Sequence, residues 1–540
     1  MPDGNNWLTI LNTRKLTYER WLYLAAIALL APALLINLGL LAFIDDEGIR
    51  SLVALEMKFS GNYITPTLHG VFYYNKPPLY NWILLAFFEI AGRVNEFTAR
   101  FPTALFTLAF GGSIYYFSRK HFDTKTAFLN ALFYITCGRV LFWDSMLALI
   151  DTCFSWVVFM SFMVIYHQFQ KENWLKLFLY SYLLAAAGFM LKGLPAVVFQ
   201  GTTMLVYFAY RRSFRRLFSW QHILGGAAFA LIVGGYYMVY AHYNGLDTVF
   251  TTLFRESSKR TVTHFGIKET VLHLFTFPFE MLYHFLPWSL MAIYFIRKDI
   301  VALIRQNSFI TFNLIAFLAN ILVYWASPEV YPRYLLMLAP LIFSAYLYLH
   351  AFHEREQSWQ YRLIYWFMLA FCVVSTLGAF APLFVGRLQA VPFAAVKSIG
   401  LGLAMAFLTY LYWRLKDNRL LVMVIVLLVF RIGFDWFVLP DRNTHDFGNE
   451  CRQSTIHAAR QFKGQKLFVY KDTDVQTTNS FYLSNERGAI VPRRYGHFDT
   501  TSLYIISPGH YPDTEYEKVG DIRLRHDTLT FDIGRLKQIK

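Results

Sequence analysis

The chain has 540 residues, of which 56% are hydrophobic, and its mean hydropathy is +0.36. No soluble domain buries that much apolar surface, so the composition excludes a soluble protein and indicates a polytopic helical membrane protein. The formal net charge is +15, but the basic residues stand mostly in short clusters between apolar runs. That pattern is typical of membrane topology signals and lipid contacts, and it argues against a nucleic-acid-binding face.

Thirteen apolar runs approach the length that crosses a bilayer. They lie at about 21–44, 99–118, 126–143, 150–168, 174–191, 194–210, 222–242, 279–296, 309–326, 334–352, 363–386, 392–413 and 420–439. We expect the first run to be a retained span, because it is too long for a signal peptide and no small-residue cleavage site follows it.

The shorter run Tyr80–Ala91 decides the topology. If it does not cross the membrane and the N-terminus is inside, every short inner loop is basic. If it does cross, the cluster RRSFRR at 211–216 falls on the outer side, against the positive-inside rule. We therefore predict thirteen transmembrane helices, with Tyr80–Ala91 as an interfacial helix along the outer surface.

Two outer loops, 45–98 and 243–278, are long enough to build a site. The tail from 441 to 540 is more polar, with one helix-like stretch at 454–462 and the β-like stretches KLFVY, TSLYIIS and TLTFDIG. We predict an all-α membrane domain at 1–440 and a small α/β domain at 441–540 outside the membrane.

The four cysteines show no ligand or disulfide pattern. Cys137, Cys153 and Cys372 lie in or beside apolar runs, and Cys451 stands alone in the tail. Neither a CxxC pair nor a Cys/His ligand spacing occurs in the sequence. The sequence therefore predicts neither a disulfide framework nor a zinc site.

Acidic residues mark the outer end of two predicted spans. Asp45, Asp46 and Glu47 directly follow the first span, and acid at a membrane boundary is costly unless it is used, hydrated or paired. Asp151 opens the fourth span on the same side, with Asp144 as an alternative for the same role. Capping of a helix is the alternative explanation for these acids. Brought together, two of them could bind a cation or share proton transfer.

Basic and aromatic residues lie on the same predicted face. Each basic residue alone is explained as a surface or snorkelling charge, but together they could form a pocket for a lipid phosphate. Neighbouring tyrosines could bind phosphate or sugar, or simply belong to the interfacial belt. The basic residues are Lys76, Lys192, Arg260 and Arg333, and the tyrosines are Tyr73, Tyr74, Tyr331 and Tyr334.

At these residues the chain resembles the GT-C glycosyltransferases that use lipid-linked sugars. The likeness is strongest to the bacterial branch with the aminoarabinose transferase of lipid A, which is related to protein O-mannosyltransferases. The matching motifs, in order, are DEG at 46–48, SGNYITPTLHGVFYYNKPPLYNW at 60–82, EFTARFP at 96–102, ID at 150–151, LKGLP at 191–195, LPW at 286–288 and YPRYLLMLAP at 331–340.

The resemblance implies thirteen transmembrane helices, juxtamembrane helices in the first outer loop and a periplasmic C-terminal domain. It also implies roles for single residues: Asp46 as the catalytic acidic residue and Asp151 as the second one. Glu47 is then a helper or a cap, and Asp45 a bystander. The positions that match donor-phosphate contacts are Tyr73, Lys76, Lys192, Arg260 and Tyr334, to which the basic pocket adds Arg333.

Two motifs depart from the family pattern. Related transferases commonly read DEGRY, whereas this chain reads DEGIR. Arg50 is therefore displaced by one position, about 100° around a helix, which puts its usual phosphate contact in doubt. The stretch SPEVYPRY also departs from the usual small-and-Lys turn, which indicates a different donor or acceptor.

The predicted function is transfer of a sugar from a polyprenyl-phosphate donor to an envelope acceptor, with inversion, at the periplasmic face of a bacterial inner membrane. The acceptor could be lipid A, another glycolipid, a glycan or a protein hydroxyl. The sequence has no Walker A motif or Rossmann fingerprint, which agrees with a lipid-phosphate carrier. A divalent metal ion at Asp46 and Asp151 stays open. The rival functions are a transporter or flippase of lipid-linked sugars and an inactive lipid-binding relative.

Overall fold

The structure, a computed structural model, describes residues 5–258, 267–327, 330–509, 511, 515–524 and 529–537. Most of these residues are helical. In chain order the α-helices are α1 (Asn5–Leu35), α2 (Glu47–Ser60), α3 (Leu79–Ala91), α4 (Glu96–Ser118), α5 (Thr124–Thr136), α6 (Ile150–Gln170), α7 (Trp174–Lys192), α8 (Pro195–Tyr210), α9 (Trp220–Tyr243), α10 (Asp247–Ser258), α11 (Ile267–His284), α12 (Ile300–Gln306), α13 (Ser308–Trp325), α14 (Ala339–Glu356), α15 (Trp359–Gly378), α16 (Gly386–Gln389), α17 (Ala394–Arg414), α18 (Arg419–Gly433), α19 (Leu439–His445), α20 (Phe447–Gln461) and α21 (Thr477–Arg487).

Every predicted span coincides with one or more helical segments, which confirms the all-α polytopic architecture. Within the described ranges, eight helical segments are long and apolar enough to cross a membrane: Tyr18–Leu35, Ile150–Gln170, Trp174–Lys192, Trp220–Tyr243, Ser308–Trp325, Trp359–Leu383, Ala394–Arg414 and Lys416–His445. The other five predicted spans coincide with α4, α5, α8, α14 and the α11 region. The count of thirteen therefore stays a prediction.

Two predicted spans are broken near the outer end of the bundle. α5 stops at Thr136 and is followed by a π-helical turn at Val140–Asp144. The run at 279–296, predicted as one helix, is divided between the end of α11 and a 3-10 helix at Trp288–Phe295. That prediction is wrong because Pro287 has no N–H for the helix and restricts the residue before it.

The first outer loop contains two helices and a hairpin. α2 begins directly after Asp46 and ends at Gly61, whose φ of 68° suits a left-handed helix stop. Strands β1 (Thr67–Leu68) and β2 (Val71–Phe72) pair antiparallel. α3 has 13 residues, fewer than the roughly 20 that cross a bilayer, which agrees with the predicted interfacial helix.

The C-terminal region forms the predicted small α/β unit. Its sheet has the order β4-β3-β5-β7-β6, with β3 parallel to β4 and β5, and β7 antiparallel to β5 and β6. The strands are β3 (Leu467–Tyr470), β4 (Arg493–Arg494), β5 (Leu503–Ile506), β6 (Tyr516–Arg523) and β7 (Thr530–Leu536). The three predicted β-like stretches form β3, β5 and β7, and the predicted helix lies mostly within α20. α21, β4 and β6 were not predicted, because they are too polar to show a strong hydrophobic period.

A buried carboxylate joins α2 to the hairpin. Glu56 accepts hydrogen bonds from the Thr67 hydroxyl at 2.7 Å and from the backbone N–H groups of His69 and Gly70 at 2.7 and 3.1 Å. All three donors lie in or beside the β1–β2 turn, so the hairpin is fixed on the side of α2.

The C-terminal unit packs directly on this loop. His69 Nε2 lies 2.7 Å from the Ser480 hydroxyl, and the His69 carbonyl accepts the backbone N–H of Arg493 at 2.9 Å. At the start of α2, a Cβ on Gly48 would lie 2.8 Å from the backbone nitrogen of Thr478. Because α2 carries Asp46 at its N-terminus, the tail helps to determine where the acidic motif stands.

We expect this docking to weaken at acidic pH. Burial, with a smaller contribution from Arg493, lowers the pKa of His69 from 6.5 to about 4. The unfolded chain takes up a proton below pH 6.5, but the folded protein does so only near pH 4. The stability from neutral His69 is thus complete above pH 6.5 and decreases as the pH falls toward 4, by on the order of 3 kcal/mol.

Thermal unfolding in detergent, measured at about pH 7.5 and about pH 5, tests this linkage. The variant His69→Gln should lose less stability between the two pH values than the wild type. His457→Gln alters an exposed histidine of α20 and should keep the wild-type difference. An unchanged pH dependence in His69→Gln contradicts the prediction.

Candidate functional site

One buried arginine holds the segment that joins α1 to α2. Arg100, on α4, donates from Nε and Nη2 to the two carboxylate oxygens of Glu47 at 2.7 and 2.8 Å. Its guanidinium also donates to three carbonyl oxygens at 2.9, 2.9 and 3.2 Å, those of Leu38, Leu41 and Ala42. Arg100 thus holds the turn after α1 close to the first residue of α2. This fixes the position of Asp45 and Asp46, which lie between them.

Glu47 extends this anchor to the start of α6. Its carboxylate also accepts the backbone N–H groups of Ile44 at 2.8 Å and Ala148 at 2.7 Å. Ala148 lies three residues before Asp151, so Glu47 sets the position of the second acid as well as the first. The Glu47 side chain is fully buried, and this geometry favours a positioning role over the helper role that the motif suggested.

Arg333 connects the acids. It lies on a short 3-10 helix, Pro332–Leu335, and its Nη1 contacts the Asp45 carboxylate. Its Nη2 is 3.4 Å from Oδ2 of Asp46, and its Nε is 3.7 Å from Oδ2 of Asp151. Burial acts to lower the pKa of Arg333, but the nearby carboxylates outweigh it and raise that pKa. A charged guanidinium therefore joins three carboxylates.

The three carboxylates differ in access. The side chain of Asp151 is 6% exposed, that of Asp45 28% and that of Asp46 49%. Although Asp46 stands at the N-cap of α2, its side chain makes no capping hydrogen bond, so capping does not account for it. Asp46 is the acid that an incoming molecule reaches most easily.

Lys192 meets Asp151 from the end of α7. Its Nζ contacts the Asp151 carboxylate and lies 3.9 Å from the ring centroid of Tyr334. Gly193, with a φ of 84°, then turns the chain sharply so that α8 can begin at Pro195. The motif LKGLP therefore serves to place the lysine at the end of one helix, against the start of another.

Lys76 and Tyr73 approach from the first outer loop. Lys76 lies near enough to Asp151 to interact with its carboxylate electrostatically. The Tyr73 hydroxyl accepts a hydrogen bond from Nη2 of Arg50 at 3.0 Å. The displaced arginine of DEGIR is thus buried against Tyr73 and supports the loop behind the basic cluster.

Other candidates are engaged elsewhere. Asp144 is buried and accepts from Nε of Arg139 at 2.8 Å, so the alternative acid has its own cation. The Tyr74 hydroxyl accepts from the Asn244 amide at 3.0 Å, which ties it to the end of α9. Arg260 lies outside the residues that the structure describes.

The arrangement does not fit a divalent metal at Asp46 and Asp151. The Arg333 guanidinium contacts both carboxylates and already supplies the positive charge between them. In the described part of the chain, no group of three or more His, Cys, Asp or Glu side chains is placed to hold a metal ion.

Asp45 and Arg100 make contacts in the structure that the sequence did not predict. Asp45 was expected to be a bystander but contacts Arg333 directly. Arg100 lies in the motif EFTARFP, yet no role was predicted for it. Its position at the start of an apolar run was the available signal, since an arginine there needs a buried partner.

A second buried ion pair braces the same region and was not predicted. Nε of Arg431 lies 2.9 Å from Oδ1 of Asp435, one turn further along the last long helix. Arg431 also donates to the Leu141 carbonyl, inside the π-helical turn. The pair thus supports the turn that leads toward the acids.

The chain is similar to known proteins in sequence and in fold. The profile of the dolichyl-phosphate-mannose-protein mannosyltransferase family matches residues 75–236. An uncharacterised protein of Aquifex aeolicus is 23% identical over 235 residues, which are 43% of this chain and 46% of that relative. The aligned region thus spans less than half the length of the relative.

Two crystal structures of ArnT from Cupriavidus metallidurans, one apo and one bound to undecaprenyl phosphate, match almost the whole chain. Their TM-scores are 0.69 and 0.68 at 16% and 17% identity, with 96% of this chain and 98% of theirs covered. The chain has the GT-C fold. The resemblance and fold class predicted from the motifs are confirmed, and the family profile agrees with the prediction of a glycosyltransferase.

We expect the Glu47–Arg100 pair to be essential for the stability of this GT-C fold. Glu47→Gln leaves the buried guanidinium without its counter-charge, which costs about 3–5 kcal/mol. The double variant Glu47→Gln/Arg100→Met should lose less stability than the sum of the single changes, because the two side chains are in direct contact.

Thermal or denaturant unfolding of the detergent-solubilised protein measures these effects. Glu89→Gln is the matched control, since Glu89 pairs with Lys58 at 2.8 Å on the exposed side of the same loop. It should change stability by less than about 1 kcal/mol. Additive losses in the double variant contradict the prediction.

Proposed function

We propose that the chain is a membrane glycosyltransferase that moves a sugar from a polyprenyl-phosphate donor to an acceptor hydroxyl of the cell envelope. The carrying observation is that Arg333 lies against both the accessible carboxylate of Asp46 and the buried carboxylate of Asp151, which also contacts Lys192, at one end of the bundle. By the charge pattern of the loops, this end faces the periplasm. One of the matching ArnT structures is bound to undecaprenyl phosphate, which supports the donor class.

The side chains suit an inverting displacement. The acceptor oxygen attacks the anomeric carbon on the face opposite the phosphate, and its proton passes to the Asp46 carboxylate. The bond from the anomeric carbon to the phosphate oxygen breaks, and its electron pair leaves with the phosphate. A hydroxyl has a pKa far above 7, so a carboxylate base assists, while Lys76, Lys192 and Arg333 stabilise the charge that grows on the phosphate.

Asp151 supports this arrangement without meeting the acceptor. Its side chain is buried, contacts Nζ of Lys192 and lies 3.7 Å from Nε of Arg333. It therefore orients two of the cations and offsets the cost of burying them. In this proposal Asp46 is the base and Asp151 the counter-ion of the phosphate-binding groups.

An apolar cavity beside the site suits the prenyl chain. Its volume is about 250 Å³, and it is lined by residues of α11, α13 and α14, among them Phe277 and Trp325, and by Phe285 just after α11. Leu335, two residues after Arg333, lines it as well. A lipid phosphate held by Arg333 would thus have its chain next to an apolar surface, as a membrane donor requires.

Two alternatives share parts of this evidence. The matching family profile is named after a protein mannosyltransferase, so a protein hydroxyl is the second candidate acceptor beside lipid A or another glycolipid. A transporter of lipid-linked sugars would favour ionisable groups at mid-membrane in two repeats. The cluster around Arg333 instead gathers at one end of the bundle, which favours the enzyme.

Removal of the base should abolish transfer. We expect Asp46→Asn to lower the transfer rate at least about 100-fold, because the amide cannot accept the acceptor's proton. Mass spectrometry of envelope lipids, glycans and proteins from cells with the wild type, with the variant and without the protein identifies the product and measures its loss.

Glu89→Gln removes a carboxylate on the same loop, away from Arg333, and should leave the product in place. Product formation by Asp46→Asn at the wild-type level refutes the assignment of the base. An envelope that is unchanged by loss of the whole protein argues against the transferase function itself.

Loss of a phosphate-binding cation should weaken the binding of the donor. We expect Lys76→Ala to weaken the binding of undecaprenyl phosphate at least about tenfold, because a charge-assisted contact contributes about 1.5–3 kcal/mol. Binding to the purified protein in lipid nanodiscs measures this change. Lys58→Ala is the matched control, since Lys58 pairs with Glu89 on the same loop. Equal affinity in Lys76→Ala and wild type contradicts the role of Lys76.

A further inference from the structure

Asp45 has an unusual backbone and a specific partner. Its φ is 57°, in the left-handed region that short polar residues tolerate better than other side chains. In this conformation its Oδ2 contacts Nη1 of Arg333, and its Oδ1 accepts the backbone N–H of Asp46 at 2.9 Å. Asp45 is therefore built into the site through Arg333, although its side chain is only partly buried.

Arg333 has the donor geometry that binds a phosphate. A guanidinium presents a rigid fork of donors that matches either a carboxylate or a phosphate. Its Nη1 is engaged by Asp45, whereas Asp46 is held more loosely at 3.4 Å from Nη2. A phosphate that takes both outer nitrogens therefore competes with the Asp45 carboxylate for the donors of Nη1.

We propose that Asp45 is a positioning residue that competes with the donor and product phosphates for the Arg333 guanidinium. This inference rests on the proposed function and adds a way to release the product. The donor phosphodiester carries one negative charge, but the lipid phosphate left after transfer carries up to two, so the product binds the cations more strongly. When the product dissociates, the Asp45 carboxylate pairs with the Arg333 guanidinium again.

The competition has a measurable consequence. If Asp45 occupies Arg333 for most of the time, the apparent affinity for phosphate is reduced by the fraction of protein in which Arg333 is available. Asp45→Asn keeps a side chain that tolerates the left-handed backbone but removes the charge. We expect it to bind undecaprenyl phosphate about three- to tenfold more tightly than the wild type.

The matched comparison is Asp46→Asn, which removes the same charge from the neighbouring residue. It should tighten binding much less, because its contact with Arg333 is longer, yet it should abolish transfer. Asp45→Asn should retain single-turnover transfer but turn over more slowly at steady state, with stronger inhibition by added undecaprenyl phosphate. Glu450→Gln, on an exposed pair with Arg523, controls for net charge.

Binding in nanodiscs and the two kinetic regimes separate the possible results. Tighter binding in Asp45→Asn than in Asp46→Asn, together with slowed steady-state turnover, supports the inference. Equal or weaker binding in Asp45→Asn overturns it, and so does equal tightening in both variants, which indicates a general charge effect. If the wild type and every variant fail to bind undecaprenyl phosphate, the proposed function fails instead.

Discussion

The ion pair between Arg100 and Glu47 is the constraint on which the site depends. An isolated buried charge at a membrane boundary is expensive, and a pair is stable only when its remaining hydrogen-bonding groups are satisfied. Here the arginine uses its other donors on backbone carbonyls of the turn after α1, and the glutamate uses its other lone pairs on two backbone N–H groups. Both ions therefore bind backbone groups. They hold three separate parts of the chain together: the turn after α1, the start of α4 and the segment before α6.

Asp46 and Asp151 take their positions from that framework. Asp46 follows the anchored turn and Asp151 follows the anchored Ala148, so neither needs strong contacts of its own to be placed. Arg333 can then connect the two acids while Asp46 keeps half of its side chain exposed. Burial and access thus fall to different members of one motif: the glutamate of DEG is buried and fixed, and the aspartate before it is accessible.

The sequence was sufficient for the fold class, and it named Asp46, Asp151, Lys192 and Arg333, which the structure brings into one cluster. Hydropathy located the eight long apolar helices but not α11, most of which lies in the predicted outer loop 243–278. Charge asymmetry set the short run of α3 apart from the spans, and its length of 13 residues agrees with that. The break at Pro287 was missed because a sliding apolar window ignores the lost backbone donor. The roles of Asp45 and Arg100 were missed for another reason: which acid meets which base across 53 to 288 positions is decided by packing, and a single sequence carries no record of that pairing.

The docking of the C-terminal unit on α2 also sets the order in which contacts form during synthesis. The chain is synthesised from its N-terminus, so the first outer loop emerges hundreds of residues before α21, against which Gly48 packs. The backbone N–H of Phe43 and the carboxylate of Glu96 likewise meet the Tyr482 hydroxyl only after 439 and 386 more residues have been added to the chain. The acidic motif thus acquires its final surroundings only after the C-terminal unit has been made. A chain truncated before α21 lacks the contacts that support the first outer loop, so the motif reaches its described geometry only when the C-terminal unit docks on it.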